Sequence, residues 1–302
     1  MVVHHAIGGV LQPEMLYSHG QAKERGKDGV VVYDAGADRQ AQAKAGLSWA
    51  ERIRSALAHD GLFLEAQPIV ALDDSGPDRR YELLVRMRAD DGETVPPGVF
   101  LPVAKRFDLM RDIDRWVLAR AARLLGELDE VGRGDVHLSV NLSPRSLDME
   151  MLEVLQSALE AHRGDARRLT VEITETAAIA DLDRAQAFAG ALRAMGVRLA
   201  LDDFGAGFAS FQHLTRLHFD EIKIDGEYVQ NLADDETHQV LVRSLVELAR
   251  GLGKETTAEF VQDDRTIELL RQYGVRWAQG FHLGRPGPLE DLGVAAPVAA
   301  LA

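Results

Sequence analysis

The feature that most constrains the fold of this chain is the alternation of helical and strand-like segments that begins near residue 100. Apolar residues recur at helical spacing in Phe100–Phe107 and Ile113–Leu128, and a short apolar run follows at Val136–Leu142. This order repeats to about residue 278. Strands that alternate with helices pair in parallel, and about eight of them predict a closed barrel. The predicted strands are Leu62–Leu72, Tyr81–Met87, Val136–Leu142, Leu169–Ile173, Val197–Leu201, Glu221–Ile224, Glu255–Ala258 and Arg276–Ala278.

The first two predicted strands depart from this alternation. The connection between them, residues 73–79, is too short for a helix and predicts an antiparallel hairpin. The expected fold is therefore α/β, a TIM-like (β/α)8 barrel with one antiparallel strand. If the second strand, Tyr81–Met87, is the reversed one, Glu82 near its start lies at the rim where the other strands end.

The sequence predicts three regions. Residues 1–45 form an N-terminal extension and a polar, Ala-rich linker. Ser48 and Glu51 form a capping box that predicts the start of a helix. The barrel is expected to span residues 46–288, and residues 289–302 form a C-terminal tail.

The composition excludes several classes of protein. The formal net charge of −14 argues against a surface for nucleic-acid polymers, which need clustered Lys and Arg. The sequence contains no cysteine, so disulfides and thiolate metal sites are excluded. No apolar run approaches the roughly 18 residues of a membrane span, and the start lacks the pattern of a signal peptide. We therefore expect a cytoplasmic protein with no membrane segment in this chain.

Polar side chains stand at or near the carboxyl ends of the predicted strands, where a parallel barrel gathers its functional groups. A single Asp or Glu in such a place is usually solvated or caps a helix. Many carboxylates at one rim repel each other unless cations neutralise them, and oxygen ligands suit Mg²⁺ or Mn²⁺ rather than Zn²⁺. Two interpretations stay open from the chemistry alone, metal-dependent phosphoester hydrolysis and another barrel enzyme. The set comprises Asn141, Glu172, Asp202, Asp203, Lys223, Asp225, Glu259 and Gln279, with Glu82 if its strand is reversed.

Short motifs that contain these residues follow one another along the chain. They are Gln67-Pro68-Ile69-Val70, Glu82-Leu83-Leu84 with Arg86, Asn141-Leu142-Ser143, Glu172-Ile173-Thr174-Glu175, Asp202-Asp203-Phe204-Gly205-Ala206-Gly207-Phe208, Lys223-Ile224-Asp225, Ala258-Glu259 and Gln279-Gly280. In this order, residues 60–287 resemble an EAL domain, the family of cyclic di-GMP phosphodiesterases. Leu83 stands where the family usually has Ala.

The resemblance implies a reaction and a role for each matching residue. One phosphodiester of cyclic di-GMP would be opened to give linear pGpG, with two Mg²⁺ or Mn²⁺ ions in each active site of a homodimer. Lys223 would orient the attacking water, Gln279 would complete the shell of water and metal, and Glu175 would anchor the loop 203–210. The implied metal ligands are Glu82, Asn141, Glu172, Asp202, Asp203 and Glu259, and the implied substrate contacts are Gln67, Arg86 and Asp225.

Two departures from the family pattern bear on activity. The family usually reads A-E-G-V-E where this chain has Ala258-Glu259-Phe260-Val261-Gln262, so Phe260 adds bulk and the second Glu is Gln262. An alternative function is therefore a weak or inactive EAL domain that acts as a cyclic di-GMP receptor. The segment Met15–Tyr33 also resembles the end of a GGDEF (diguanylate cyclase) domain, without the signature of that enzyme.

Overall fold

The computed structural model describes residues 35–73, 78–89, 91–205 and 211–294, and side chains are not described for 35–45 and 211–213. The GGDEF-like segment Met15–Tyr33 and most of the predicted C-terminal tail therefore lie outside the described residues. The chain divides into two units at residue 48, and the barrel belongs to the second. In the described ranges, no helix is long and apolar enough to cross a membrane.

The strands close into a barrel. Eight strands form its wall, and the order around it is β1-β2-β4-β5-β6-β7-β8-β9, with β9 pairing back onto β1. Two short strands, β3 and β10, extend the sheet beside β2 and β1. The expected α/β, TIM-like barrel with one antiparallel strand is therefore confirmed. The strands are β1 Leu62–Ala71, β2 Arg79–Arg88, β3 Thr94–Val95, β4 Val136–Asn141, β5 Leu169–Thr174, β6 Arg198–Phe204, β7 Glu221–Ile224, β8 Glu255–Ala258, β9 Trp277–Ala278 and β10 Gly287–Pro288.

The reversed strand is β1, and the hypothesis that β2 is reversed is wrong. β1 pairs antiparallel with both β2 and β9, whereas β2 pairs parallel with β4. Of the two helices between β2 and β4, only the second, with 21 residues against 10, is long enough to return the chain along the barrel. Glu82 still lies near the functional rim, because it is opposite Ser139, two residues before Asn141 at the end of β4. Strand β2 continues past that end of β4.

The helices surround the barrel. They are α1 Ala35–Ala58, α2 Pro97–Arg106, α3 Met110–Glu130, α4 Met149–His162, α5 Glu175–Ala180, α6 Leu182–Met195, α7 Phe211–Arg216, α8 Gly226–Val229, α9 Glu236–Gly251 and α10 Asp264–Tyr273, with 3₁₀ turns at Pro144–Ser146, Ala166–Arg168 and Leu289–Leu292. Helix α1 begins at Ala35, so the helix start predicted at Ser48 is wrong. Its many Ala, Gln, Lys and Arg residues are strong helix formers, and this preference outweighs Gly36 and Gly46.

A network of partly buried ion pairs closes the end of the barrel where strands β6, β7 and β8 begin. Glu255 Oε2 accepts hydrogen bonds from Arg80 Nη2 at 2.9 Å and Arg198 Nη2 at 2.5 Å. Arg80 also donates to Glu221 Oε2 at 3.1 Å, and its guanidinium lies 3.9 Å from the centre of the Trp277 ring. This end therefore contributes to stability, which leaves the opposite rim for chemistry.

Candidate active site

Lys223 is the centre of the functional rim. It lies on β7, its side chain is only 1% exposed, and four carboxylates converge on its ammonium. A lysine this buried needs such partners, because an unpaired charge away from water is costly. The distances from Lys223 Nζ are 2.6 Å to Glu172 Oε2, 2.8 Å to Glu259 Oε1, 3.3 Å to Asp202 Oδ1 and 3.4 Å to Glu82 Oε2.

Two amide side chains complete the cluster through Glu82. Asn141 Nδ2 donates to Glu82 Oε1 at 2.5 Å, and Gln279 Nε2 donates to Glu82 Oε2 at 2.7 Å. Each amide donates through its nitrogen, so its oxygen is turned to the other side. The structure thus brings together Glu82, Asn141, Glu172, Asp202, Lys223, Glu259 and Gln279, which come from seven different strands or strand ends.

The donor set fits a divalent cation. Asp202 Oδ1 and Gln279 Oε1 are buried and accept no hydrogen bond, although Asp202 Oδ1 lies within ion-pair distance of Lys223. One carboxylate oxygen each from Asp202, Asp203 and Glu259 lie within 4.8 Å of one another. Buried oxygens without donors, beside an excess of carboxylates, are what a hard cation such as Mg²⁺ requires. The oxygens of the rim therefore suit a hard divalent cation.

Burial and repulsion between like charges raise the pKa values of three rim carboxyl groups, those of Glu172, Asp203 and Glu259. Burial raises the pKa of Glu259 to about 7 and that of Glu172 well above its ordinary value, although Lys223 lowers both. Burial also raises the pKa of Asp203, and the charge of Asp202 adds to the effect. Burial alone would lower the pKa of Lys223, but Asp202 and Glu172 outweigh it and hold that pKa well above its usual range. The cluster is thus short of positive charge.

Of the three residues expected to contact substrate, Gln67 contacts this cluster through Gln279, whereas Arg86 and Asp225 bond to other neighbours. Gln67 on β1 is directly opposite Glu82 on β2. Its amide nitrogen donates to the Gly284 carbonyl at 3.0 Å, and its amide oxygen accepts from Gln279 at 3.1 Å. Arg86 Nε donates to Glu65 Oε2 at 2.8 Å. Asp225 caps helix α8 by accepting from Glu227 N at 2.8 Å. Each of them therefore has a partner within the protein.

Gly205, which directly follows strand β6, is held by two anchors. Glu175, only 2% exposed at the start of α5, accepts a hydrogen bond from Gly205 N at 2.9 Å. Tyr228 on α8 donates its hydroxyl to the Gly205 carbonyl at 2.6 Å. The structure describes the chain up to Gly205 and again from residue 211. The two hydrogen bonds to Gly205 therefore hold the beginning of the loop 203–210.

Phe260, the bulky departure from the family pattern, packs against Gly226. Its backbone adopts a left-handed conformation with φ of 55°, its ring packs on Gly226, and the residue is 56% exposed. A Cβ on Gly226 would lie 2.1 Å from the Phe260 ring. Gln262 is exposed. Both departures are therefore exposed, whereas the Lys223 ammonium is buried.

Sequence reasoning missed Tyr228 and Asp114. Tyr228 gives no local signal, because its contact with Gly205 exists only after β6 and α8 come together. Asp114 does carry a signal, since it is a lone carboxylate in the apolar face of α3 that contains Val117, Leu118 and Ala121.

Comparison with known proteins agrees with this geometry. Residues 50–286 match the family model described as EAL domain. The chain is 36% identical over 269 residues to Cyclic di-GMP phosphodiesterase PdeB of Shewanella oneidensis, an alignment that covers 89% of this chain and 31% of that protein. It therefore spans about a third of the length of this relative.

Two solved structures share the fold. The PaMucR phosphodiesterase in complex with c-di-GMP is 33% identical, with a TM-score of 0.75 over 81% of this chain and 99% of that one. The EAL domain of Xanthomonas citri FimX in complex with c-diGMP is 32% identical, with a TM-score of 0.77 over 83% and 97%. The family model covers most of the sequence and the barrel contains its motifs in place, so this chain belongs to the EAL domain family.

Proposed function

We propose that this chain hydrolyses one phosphodiester bond of cyclic di-GMP to give linear pGpG. The observation that carries the proposal is the convergence of four carboxylates on the buried Lys223, beside buried oxygens of Asp202 and Gln279 that accept no hydrogen bond. The names of the relatives supply the substrate class.

The proposed ligands of two Mg²⁺ or Mn²⁺ ions are Glu82, Asn141, Glu172, Asp202, Asp203 and Glu259. Bound there, the ions would polarise the phosphodiester and lower the pKa of a water molecule. All six ligand atoms are oxygens, which favours a small octahedral ion over Zn²⁺.

The remaining residues of the rim orient the reactants. Lys223 offers three N–H donors. When cations share the negative charge of the carboxylates, at least one donor becomes available to orient water or a phosphate oxygen. Gln279 Oε1 can accept a hydrogen bond from the attacking water. Arg86 is proposed to contact a phosphate oxygen while its Nε stays with Glu65, and Gln67 and Asp225 are proposed to contact the guanine or ribose.

The wider organisation belongs to the same proposal. We infer a barrel over residues 46–288, preceded by an extension and followed by a tail. We also infer a cytoplasmic homodimer, in which the loop anchored by Glu175 links dimerisation to turnover. The chain covers 31% of its PdeB relative, so these proposals concern this chain and do not extend to a longer protein.

The experiment is a hydrolysis assay that resolves cyclic di-GMP from pGpG, with Mg²⁺ or Mn²⁺, with excess chelator and with Ca²⁺. We expect pGpG only with Mg²⁺ or Mn²⁺, because Ca²⁺ is larger, takes more ligands and is a weaker Lewis acid. Asp202→Asn should remove turnover, whereas Gln262→Glu, at an exposed position, should leave it unchanged. Binding of cyclic di-GMP without any pGpG would instead establish a receptor.

A further inference from the structure

Asp114 is a buried carboxylate in the apolar face of helix α3. It is 4% exposed and lies on the side of the helix that also buries Val117 and Leu118. Burial raises the pKa of Asp114, which shows that its charge is placed at a cost, although Ser143 and Ser146 reduce that effect. A charge kept in such a place requires a specific set of donors.

Those donors lie in the turn that follows Asn141. Asp114 Oδ2 accepts hydrogen bonds from the backbone N of Ser143 at 3.2 Å and from Ser146 Oγ at 2.6 Å, and it also accepts from Ser143 Oγ. Ser143 is two residues after Asn141, and Ser146 is fully buried. One carboxylate oxygen thus gathers three donors from a single 3₁₀ turn.

Other contacts hold the same segment. Leu142 N donates to the Glu172 carbonyl at 2.9 Å, which fixes the end of β4 against β5. Arg111 and Arg184 donate to the Arg145 carbonyl at 3.3 and 3.1 Å. These bonds constrain the chain beyond Asn141, but Asp114 alone binds the backbone N–H and both hydroxyls of the turn within the described residues.

We propose that Asp114 is a positioning residue that holds Asn141 in register with the metal-binding rim. By fixing Ser143, Asp114 sets where β4 ends, so the Asn141 amide stays against Glu82 with Nδ2 and Oε1 2.5 Å apart. Asn141 is an exposed residue at a strand end, so its own packing constrains it little. The inference rests on the proposed function, because it assigns Asn141 to the metal site.

The experiment compares Mn²⁺ binding by Asp114→Ala and Asp114→Asn with the parent chain. The amide oxygen of Asn can still accept from the turn, whereas Ala leaves three donors without an acceptor. Mn²⁺ affinity is measured without substrate, from the electron paramagnetic resonance signal of free Mn²⁺. We expect Asp114→Ala to weaken Mn²⁺ binding by about 10-fold or more, as for other residues that orient metal ligands. Asp114→Asn should keep most of the Mn²⁺ affinity of the parent chain.

Glu255→Gln provides the matched control. It removes a half-buried carboxylate at the opposite end of the barrel, where Glu255 binds Arg80 and Arg198. We expect Glu255→Gln to lower the melting temperature and to leave Mn²⁺ affinity unchanged. If it weakens Mn²⁺ binding as much as Asp114→Ala, the effect is general destabilisation and the proposal is wrong.

Three further outcomes separate the proposals. If Asp114→Ala does not fold, Ser143→Ala replaces it as the test, because it removes one hydroxyl donor and keeps the backbone. Ser143→Ala should weaken Mn²⁺ binding by a smaller factor. Parent-like Mn²⁺ affinity in Ser143→Ala overturns the inference. If the parent binds Mn²⁺ and forms pGpG while a folded Asp114→Ala variant binds Mn²⁺ equally well, only the positioning role fails. If the parent binds no Mn²⁺ and forms no pGpG, the proposed function itself fails.

Discussion

Lys223 and Glu172 form an ion pair at the centre of the barrel, with Nζ and Oε2 2.6 Å apart and both side chains 1% exposed. Neither charge would be tolerated there alone. Lys223 neutralises part of the negative rim without metal, and its other contacts, with Glu259 and Asp202, make it the link between strands β5, β6, β7 and β8.

Replacing Lys223 by Met should abolish turnover and lower the free energy of unfolding of the metal-free protein by about 3 to 5 kcal/mol, because the buried carboxylates lose their counter-charge. Mg²⁺ should then raise the melting temperature of Lys223→Met by more than that of the parent. Lys254→Met, which removes a lysine that donates to the Phe219 carbonyl away from the rim, is the control and should keep turnover. Equal Mg²⁺-induced shifts in parent and Lys223→Met would contradict this role.

Substitutions of Glu82 and Asp202 should differ in how much they destabilise the protein, although both should abolish turnover. Glu82→Ala removes the acceptor of Asn141 Nδ2 and one of the two acceptors of Gln279 Nε2, and it should cost about 1 to 3 kcal/mol in unfolding free energy. Asp202→Asn keeps its shape and reduces repulsion at an oxygen that accepts no hydrogen bond, so it should cost less. Both variants should lose turnover at saturating Mg²⁺. Equal losses of stability in thermal unfolding would count against this assignment of Glu82.

Glu175→Ala should raise the Mg²⁺ concentration needed for half-maximal turnover about 10-fold, because Gly205 N loses its acceptor and Asp203 is no longer held in place. Glu227→Ala, at an exposed acidic position on α8, is the control and should behave as the parent. The assay is a Mg²⁺ titration of turnover beside the oligomeric state from light scattering. An unchanged Mg²⁺ requirement in Glu175→Ala would leave no anchoring role for this residue.

Phe260 and Gly226 should be energetically coupled. Gly226→Ala places a Cβ 2.1 Å from the Phe260 ring and should destabilise the protein by about 1 to 3 kcal/mol. Phe260→Gly removes the ring and suits the left-handed backbone at this position, where φ is 55°. Combining both substitutions should recover most of the loss, as measured by a double-mutant cycle in urea. Additive effects would show that the two residues do not share this contact.

Glu255 should make stability depend on pH in the acid range. Burial alone would raise its pKa, but Arg198 and Arg80 outweigh burial and hold the pKa below the ordinary value of 4.5. A lowered pKa in the folded state means that the stabilisation is present above pH 4.5 and is lost as the pH falls through the folded value. The unfolding free energy of Glu255→Gln should therefore fall less steeply than that of the parent below about pH 4.5. Parallel curves would refute this.

The sequence by itself determined the order of elements and most of the residues at the rim. Strand β7, Glu221–Ile224, and strand β8, Glu255–Ala258, have the predicted bounds, because short apolar runs between amphipathic helices leave few alternatives. The position of Glu172, Asp202 and Glu259 at strand ends followed from the same local pattern, since every parallel strand of a barrel ends at one rim.

The tertiary structure decided what depends on contacts between distant segments. That β1 and not β2 is reversed follows from the pairing of β1 with β9, about 200 residues later, and no local periodicity reports such a pairing. Likewise, Lys223 gathers four carboxylates and Asp114 reaches the turn after Asn141 only once the barrel has closed. Sequence patterns record which face of an element is buried, whereas the partners of a buried charge are set by the packing of the whole chain.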